Sequence, residues 1–366
     1  MNPGYKVLII LSLVGFVTSF GAHAVAVNLP VYARTTGAGL FEIGIIIAAY
    51  DFAELLAKPV FGRIADKRGM VATTIAGLLV FSFGSLLYLF LDPSLLLITR
   101  VLQGLGAAAF STSSMALVAQ IYTDSRGKAF GVYNSIKGAG FVLGPVLGGA
   151  VVFYSSFSSI FVMSFLVGIA TALPASRIKY RSARAPETED EDNEIRQLLK
   201  SFGEKELLPW CLLRFSNMVL MGALFGFLPI YVSSLGYNQL FVGAIVGVSA
   251  IAYVVIQPLS GSFADKYGSA AVTIIGSLIS FLAIILLPFL AGPLLLVNAG
   301  IAAASIGVVW TVTSSGAAEV AGHGRMGLVM GNLGSYKEVG DMAGPVIVGS
   351  IAQVASLQVG FEHQEC

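Results

Sequence analysis

The sequence predicts an all-α integral membrane protein built from two tandem six-helix bundles, with the twelfth helix missing. The first observation is composition: 56% of the residues are hydrophobic, 11% are charged and the mean hydropathy is +0.84, unlike a soluble protein. The second is a set of eleven long apolar segments, and the third is a repeat of the first half of the chain in the second half. Because lipid offers the backbone no hydrogen-bond partners, we expect these segments to be helices, whereas a barrel would show short alternating strands.

Each of the eleven segments is long enough for one membrane span, which needs about 20 mainly apolar residues. In chain order they lie near 7–33, 41–62, 71–91, 95–120, 128–153, 157–174, 208–234, 240–262, 270–290, 293–319 and 328–354. The first segment imitates a secretory signal, since Lys6 precedes an apolar run that reaches Ala22-His23-Ala24. The run continues past that site and its end at Pro30 recurs in the second half. We therefore expect it to remain as the first helix.

The repeat divides the chain into two copies of one unit. Six residues around the end of the second segment recur 199 positions later, with Pro59, Gly62, Ala65, Asp66, Lys67 and Gly69 matching Pro258, Gly261, Ala264, Asp265, Lys266 and Gly268. After one inserted residue, residues of the fifth segment recur in the eleventh, with Gly140, Gly144 and Pro145 matching Gly340, Gly344 and Pro345. These matches predict an N-terminal bundle over 1–174, a linker over 175–206 and a C-terminal bundle over 207–366.

Two polar stretches separate or end the predicted bundles. The linker begins basic, turns acidic and ends where Ile195, Leu198 and Phe202 share one helical face with Leu199. We expect a solvated cytoplasmic tether that ends in a short amphipathic helix on the inner membrane surface. A counterpart of the sixth segment would need to continue well past Cys366, where the sequence stops after a short polar tail. Either the chain is truncated or it has eleven spans.

The distribution of Lys and Arg predicts the orientation. With a cytoplasmic N-terminus, fifteen of these residues fall on the inner side and Arg34 alone falls on the outer side, as the positive-inside rule requires. We expect a multi-pass protein of the cell membrane (inner or plasma membrane), embedded in lipid and acting as a monomer. The net charge of +1 is uninformative because it averages over the two sides of the membrane. No basic patch remains to be explained, so we expect no nucleic-acid partner. The two cysteines, Cys211 and Cys366, suggest neither a disulfide framework nor a metal cluster.

Ionisable residues inside the apolar segments are the candidate functional residues, because each costs about 2.5–3.5 kcal/mol at the centre of an inserted helix. The second segment carries Asp51, Glu54 and Lys58, and their spacings place all three on one helix face. The eleventh segment carries Lys337, Glu338 and Asp341. The fourth, fifth and seventh segments carry one charge each, which are Arg100, Lys137 and Arg214.

Three motifs lie within or at the ends of the spans. The first follows the second segment and comprises Gly62, Arg63, Ile64, Ala65, Asp66, Lys67, Arg68 and Gly69, with a degenerate copy that includes Asp265. The second runs from Arg100 to Gly106, and the third comprises Gly140, Gly144, Pro145, Gly148 and Gly149. Together with the two tandem units and the long linker, these motifs resemble the major facilitator superfamily of secondary transporters. The third motif is similar to that of exporters that exchange drug for proton.

The resemblance implies two halves related by a pseudo-twofold axis along the membrane normal, with the substrate site between them near the midplane. It also implies that the second and eleventh helices pack across the interface between the halves. Lys58 would then pair with Glu338 or Asp341, and Lys337 would pair with Glu54. The alternative is a set of static buried ion pairs that fixes helix register.

Two of the motifs carry alternative interpretations. By the resemblance, Asp66, just past the cytoplasmic end of the second helix, accepts hydrogen bonds from the start of the eleventh helix and latches the state closed to the cytoplasm. The alternative is a basic loop that only sets topology. In the fifth segment, Gly140, Gly144 and Gly148 clear a groove for a neighbouring helix, and Pro145 bends the rod. Packing alone and an antiporter role explain this stripe equally well.

The same residues suggest how a proton would be coupled. We hypothesise that Asp51 or Glu54 is the proton carrier, since a lysine that moves toward or away from a buried carboxylate changes its proton affinity. Arg100 has three alternative roles: relay of charge to that site, which we rank first, binding of an anionic substrate group, or donation to carbonyls of the first helix.

The expected function is a secondary active transporter that works by alternating access, a proton-coupled exporter of amphipathic small molecules or drugs. The proton is its coupling ion, and we expect no cofactor and no metal. The alternatives are proton-coupled uptake or exchange of a polar metabolite, and a non-transporting membrane sensor of the same fold. We do not expect an enzyme, because His23, His323 and His363 are scattered rather than set at catalytic or metal-ligand spacing.

Overall fold

A computed structural model of the chain describes residues 3–90, 95–122, 126–178, 180, 205–321 and 326–362. Within these residues the chain forms eleven α-helices and one short 3-10 helix, Leu287–Phe289. The α-helices are α1 (Pro3–Thr35), α2 (Leu40–Arg68), α3 (Met70–Leu87), α4 (Leu96–Ile121), α5 (Arg126–Tyr154), α6 (Phe157–Ala175), α7 (Leu208–Ser234), α8 (Gln239–Tyr267), α9 (Ser269–Leu286), α10 (Gly292–Ala321) and α11 (Met326–Glu362). They match the eleven predicted segments one to one, and the all-α fold class is confirmed.

Among the described helices, nine are long and apolar enough to cross a membrane. The two others are α2 and α11, the helices that carry the clustered charges. α11 continues to Glu362, past the predicted end of its apolar segment. The amphipathic helix predicted over 195–202 lies outside the described residues, and the domain boundaries predicted from the repeat stay predictions.

The basic motif after the second apolar segment differs from the expectation. α2 continues to the residue before Gly69, so Asp66 lies in the last helical turn and not past the helix end. Gly69 ends the helix with a φ of 104°, and its N–H donates to the Ala65 carbonyl at 2.9 Å. Gly268 repeats this turn with a φ of 86° and a bond to the Ala264 carbonyl at 2.8 Å. Backbone conformation, and not the loss of apolar residues, therefore sets the helix end.

Gly69→Ala is expected to destabilise the protein by about 1–2 kcal/mol, because an L side chain is disfavoured at a positive φ. The measurement is the thermal-unfolding midpoint of the purified protein in detergent. Gly62→Ala is the matched control. Gly62 belongs to the same motif but lies inside α2, and a Cβ there would meet only the Thr112 methyl at 3.7 Å. Equal midpoints for the two variants would contradict the turn geometry.

The described residues group into two compact units. The first draws on Met1–Ala185, Pro229–Gly247 and Gly349–Cys366, and the second on Pro186–Leu228 and Val248–Val348. As a result α7, α8 and α11 each contribute residues to both units.

In the first unit α4 packs against both α2 and α3, and α1 packs against α5 and α6. Glycines allow the backbone of α4 to lie close to the backbones of the neighbouring helices, as expected where helices associate in lipid. A Cβ at Gly104 would collide with the Tyr50 carbonyl oxygen of α2, and a Cβ at Gly106 would lie 2.6 Å from the Phe81 nitrogen of α3. α4 is therefore held between two helices at van der Waals distance.

The repeat is visible in the packing of the second unit. A Cβ at Gly140 of α5 would lie 2.6 Å from the Phe16 carbonyl oxygen of α1, and a Cβ at Gly340 of α11 would lie 2.6 Å from the Phe215 carbonyl oxygen of α7. Phe215 and Gly340 are the repeat counterparts of Phe16 and Gly140. α11 therefore packs on α7 as α5 packs on α1.

Candidate functional site

The charged face of α2 is partly buried and contains an ion pair within the helix. Lys58 Nζ lies 3.1 Å from Glu54 Oε1, and their side chains are 35% and 14% exposed. Asp51 is half-buried and lies on the same face one turn earlier. These three groups place titratable charge inside the helix bundle, where protonation of a carboxyl would weaken its pairing with lysine.

Arg100 of α4 lies beside the charged face of α2 and is 2% exposed. Its guanidinium carbon lies 4.7 Å from the ring centroid of Tyr50 on α2, a cation–π contact. Gly104, one turn further on the same face of α4, permits the close approach that brings the arginine to the ring. Nε and Nη1 of Arg100 have no hydrogen-bond partner in the part of the chain that the structure describes. These N–H groups can donate hydrogen bonds to a carboxylate or another anionic acceptor.

A second buried arginine lies in the second unit. Arg214 of α7 is 1% exposed, and its guanidinium lies 3.8 Å from the ring centroid of Trp310 on α10. Its Nη2 donates to the Trp310 carbonyl at 2.8 Å and to the Ser314 hydroxyl. Sequence reasoning noted Arg214 as a charge but missed both partners. The sequence feature that could have indicated these partners is Trp310, one of two tryptophans in the chain, which lies in an apolar span with a serine one turn later.

The charges of α11 lie near this arginine and pair with one another. Lys337 Nζ lies 3.0 Å from Glu338 Oε2 and 3.0 Å from Asp341 Oδ2. Asp341 also interacts electrostatically with Arg214. The ion pairs described for α2 and α11 thus lie within each helix, and the predicted pairing between the two helices stays a prediction.

The glycine motif of α5 contacts two helices. Three of its glycines face backbone carbonyls of α1: Gly140, Gly144 and Gly148 lie against Phe16, Phe20 and Ala24. Gly149 faces α8 instead, where its Cβ would lie 2.7 Å from the Gly243 Cα, and a Cβ at Gly243 would lie 2.6 Å from the Pro145 carbonyl oxygen. The groove predicted from the glycine spacing is present, and an antiporter role for the motif stays a prediction.

The start of α2 is capped by a side chain of α11. The N-cap position of α2 is Gly39, which has no side chain to accept from the first backbone N–H groups. The Leu40 N–H donates instead to Gln353 Oε1 at 2.8 Å. Sequence reasoning missed Gln353 because it searched the spans for charges. The sequence feature that could have indicated Gln353 is a neutral amide in the last third of an apolar segment.

The other predicted residues occupy simpler positions. Arg63, Asp66, Lys67, Arg68 and Asp265 are exposed at the ends of α2 and α8. His23 Nδ1 lies 2.6 Å from the Ser19 carbonyl oxygen of its own helix. Within the described residues, no group of three or more His, Cys, Asp or Glu side chains is placed to hold a metal ion.

A set of long apolar helices with charges buried between them defines a multi-pass helical membrane protein. The chain belongs to the Major Facilitator Superfamily, whose family model matches residues 11–345. A crystal structure of a bacterial homologue of the human lysosomal transporter Spinster, inward-facing and unoccupied, aligns with a TM-score of 0.81 at 17% identity over 99% of this chain and 87% of that one. At this identity the likeness shows the fold, which is the two-bundle fold that the sequence predicts.

Curated relatives of this chain include resistance proteins of Bacillus subtilis (strain 168). Multidrug resistance protein 2 is 26% identical over 362 residues, which cover 95% of this chain and 89% of the relative. Methylenomycin A resistance protein is 32% identical over 185 residues, and this alignment covers 49% of this chain and only 39% of the relative. Membership of this family indicates a transporter.

Proposed function

We propose that this protein is a proton-coupled exporter of amphipathic small molecules, with its N-terminus in the cytoplasm. The observation that carries the proposal is the pairing of Glu54 with Lys58 inside α2, one helix away from the buried Arg100. Ionisable groups at membrane depth are costly and usually serve transport or proton relay. Export is supported by the relative named Multidrug resistance protein 2, which aligns along nearly the whole chain.

In the proposed cycle a proton binds Glu54 or Asp51 and neutralises the carboxyl. A neutral Glu54 attracts Lys58 weakly, so their 3.1 Å pair loosens and the lysine is available to another carboxylate. When the proton leaves, the open donors of Arg100 stabilise the charge that returns. Proton binding therefore changes the ion pairs of α2, and a change in these pairs can bias which side of the membrane the substrate site faces.

The decisive test is proton-driven transport by variants that lack the titratable carboxyls. Asp51→Asn and Glu54→Gln are each expected to reduce pH-driven flux to the level of empty liposomes and to leave substrate binding intact. The measurement uses purified protein in liposomes with an imposed pH difference and a panel of cationic, neutral and anionic dyes, with ethidium as the cationic member. Binding of the same dyes is measured by fluorescence polarisation in detergent.

Glu42→Gln is the matched control, because Glu42 is exposed in the first turn of the same helix. It should transport as the wild type does. Wild-type flux in both Asp51→Asn and Glu54→Gln would overturn the proposed proton site. Uptake in the opposite direction, or binding without any flux by the wild-type protein, would instead favour import or a sensor.

A further inference from the structure

We propose that Gln353 is a gating residue that latches α2 to α11 at the end of the bundle opposite Asp66. The latch is the hydrogen bond from the Leu40 N–H to Gln353 Oε1 at 2.8 Å. The inference rests on the proposed transport by alternating access, and it concerns the gate rather than the proton site.

The bond fills a gap that the sequence of α2 leaves open. The first N–H groups of a helix need acceptors, and a Ser, Thr, Asp or Asn side chain at the N-cap normally supplies one. At Gly39 no side chain accepts, and a Cβ there would lie 3.2 Å from Gln353 Oε1. α11 therefore supplies the cap from outside α2, and the missing side chain of Gly39 makes room for it. Such a cap exists only while the two helix ends lie together.

A second contact lies at the same end of the spans. Successive helices run in opposite directions, so the starts of α2 and α8 lie on the same side as the ends of α5 and α11. On that side α5 touches α8 at Gly149 and Gly243, within the first unit that also contains Leu40 and Gln353. The orientation expected from Lys and Arg makes this the outer side. The outer ends are thus held by glycine packing in one place and by a hydrogen bond in the other.

The chemistry of the cap suits a gate that must open in every cycle. Water can replace Gln353 as the acceptor for the Leu40 N–H once the ends part, so opening leaves no permanently unsatisfied donor. The family resemblance implies a latch between the same two helices at the other end of α2, through Asp66. Each end of α2 would then have its own polar contact, and a cycle would break one while it forms the other.

The test is the distance between the outer ends of α2 and α11 in the purified, reconstituted full-length protein. Spin labels are attached at Phe41→Cys and Ile351→Cys, both exposed positions, after Cys211→Ala and Cys366→Ala remove the native thiols. Gln353→Leu is expected to raise the ratio of separated to closed molecules about five-fold, the shift that follows from loss of one ordinary hydrogen bond. Gln353→Glu is expected to lower that ratio below the wild-type value, because a carboxylate accepts more strongly at a helix N-terminus.

Gln120→Leu is the matched control, since Gln120 accepts a bond from the Tyr180 hydroxyl at 2.9 Å near the end of α4 and has no part in the cap. It should leave the distance distribution unchanged. Equal distributions in the wild type, Gln353→Leu and Gln353→Glu would overturn the latch even if proton-driven export is present. Wild-type flux in both Asp51→Asn and Glu54→Gln, together with intact opposite shifts at Gln353, would overturn the proton site and leave the latch standing, so failures of the two proposals are distinguishable.

Discussion

Gly149→Ala is expected to abolish transport while the protein remains inserted and folded. The added Cβ would lie 2.7 Å from the Gly243 Cα and 3.0 Å from the Gly243 nitrogen, and closer still to the Gln239 carbonyl oxygen. All three atoms belong to the backbone of α8, so no side-chain rotation relieves the clash. Overpacking of this kind costs about 1–3 kcal/mol, which lowers the population of the packed arrangement roughly 5- to 150-fold. A transporter that alternates between states loses flux when one state is depleted.

The measurement is dye flux in liposomes, with the amount of folded protein checked by gel filtration. Gly138→Ala on the same helix is the control, because a Cβ built there would lie within 4 Å of no atom of another helix in the described part of the chain. Gly243→Ala approaches the same contact from α8 and should cause the same loss. Normal flux in Gly149→Ala and Gly243→Ala would show that transport does not need the α5–α8 contact.

The helices could be predicted from the sequence because a membrane span is a local property. Burial in lipid requires about 20 apolar residues whatever the neighbouring helices are, and nine of the described helices follow that pattern, while α2 and α11 carry clustered charges in addition. The end of α2 could not be read from hydropathy, because helical hydrogen bonding continues through polar residues until Gly69 takes a positive φ. Helix ends are set by such backbone features and by caps, which hydropathy does not report.

Residues of the candidate site could be selected from the sequence where they carry a charge, but uncharged residues of the site could not. Asp51, Glu54 and Lys58 stand out because ionised groups are rare in apolar segments. Gln353 and Gly243 carry no charge, and their roles depend on which helix lies opposite, which is tertiary information. The spacing of the α5 glycines predicted a groove but gave no indication that Gly149 faces a different helix from the other three.

Gly104→Ala is expected to reduce both stability and transport, because it separates α2 from α4. Its Cβ would collide with the Tyr50 carbonyl oxygen and lie 2.9 Å from the Ala53 Cβ. α4 cannot simply move away, since Gly106 holds its other side against the backbone of α3. The free energy of unfolding should fall by about 1–3 kcal/mol, seen as a lower thermal-unfolding midpoint. Arg100, one turn earlier, would lose its position 4.7 Å from the Tyr50 ring.

Gly84→Ala separates this effect from a general intolerance of added methyl groups. Gly84 lies on α3 and faces α4, but its Cβ would approach the Gln103 side chain no closer than 3.4 Å, the Gln103 nitrogen no closer than 3.6 Å and the Leu102 Cβ no closer than 3.7 Å, which are ordinary contacts. A double variant with Arg100→Ala tests how transport is lost. If Gly104→Ala acts by displacing Arg100, the double variant should transport no worse than Arg100→Ala alone, whereas independent effects would add. Wild-type stability and flux in Gly104→Ala would show that α2 and α4 do not pack backbone to backbone at this position.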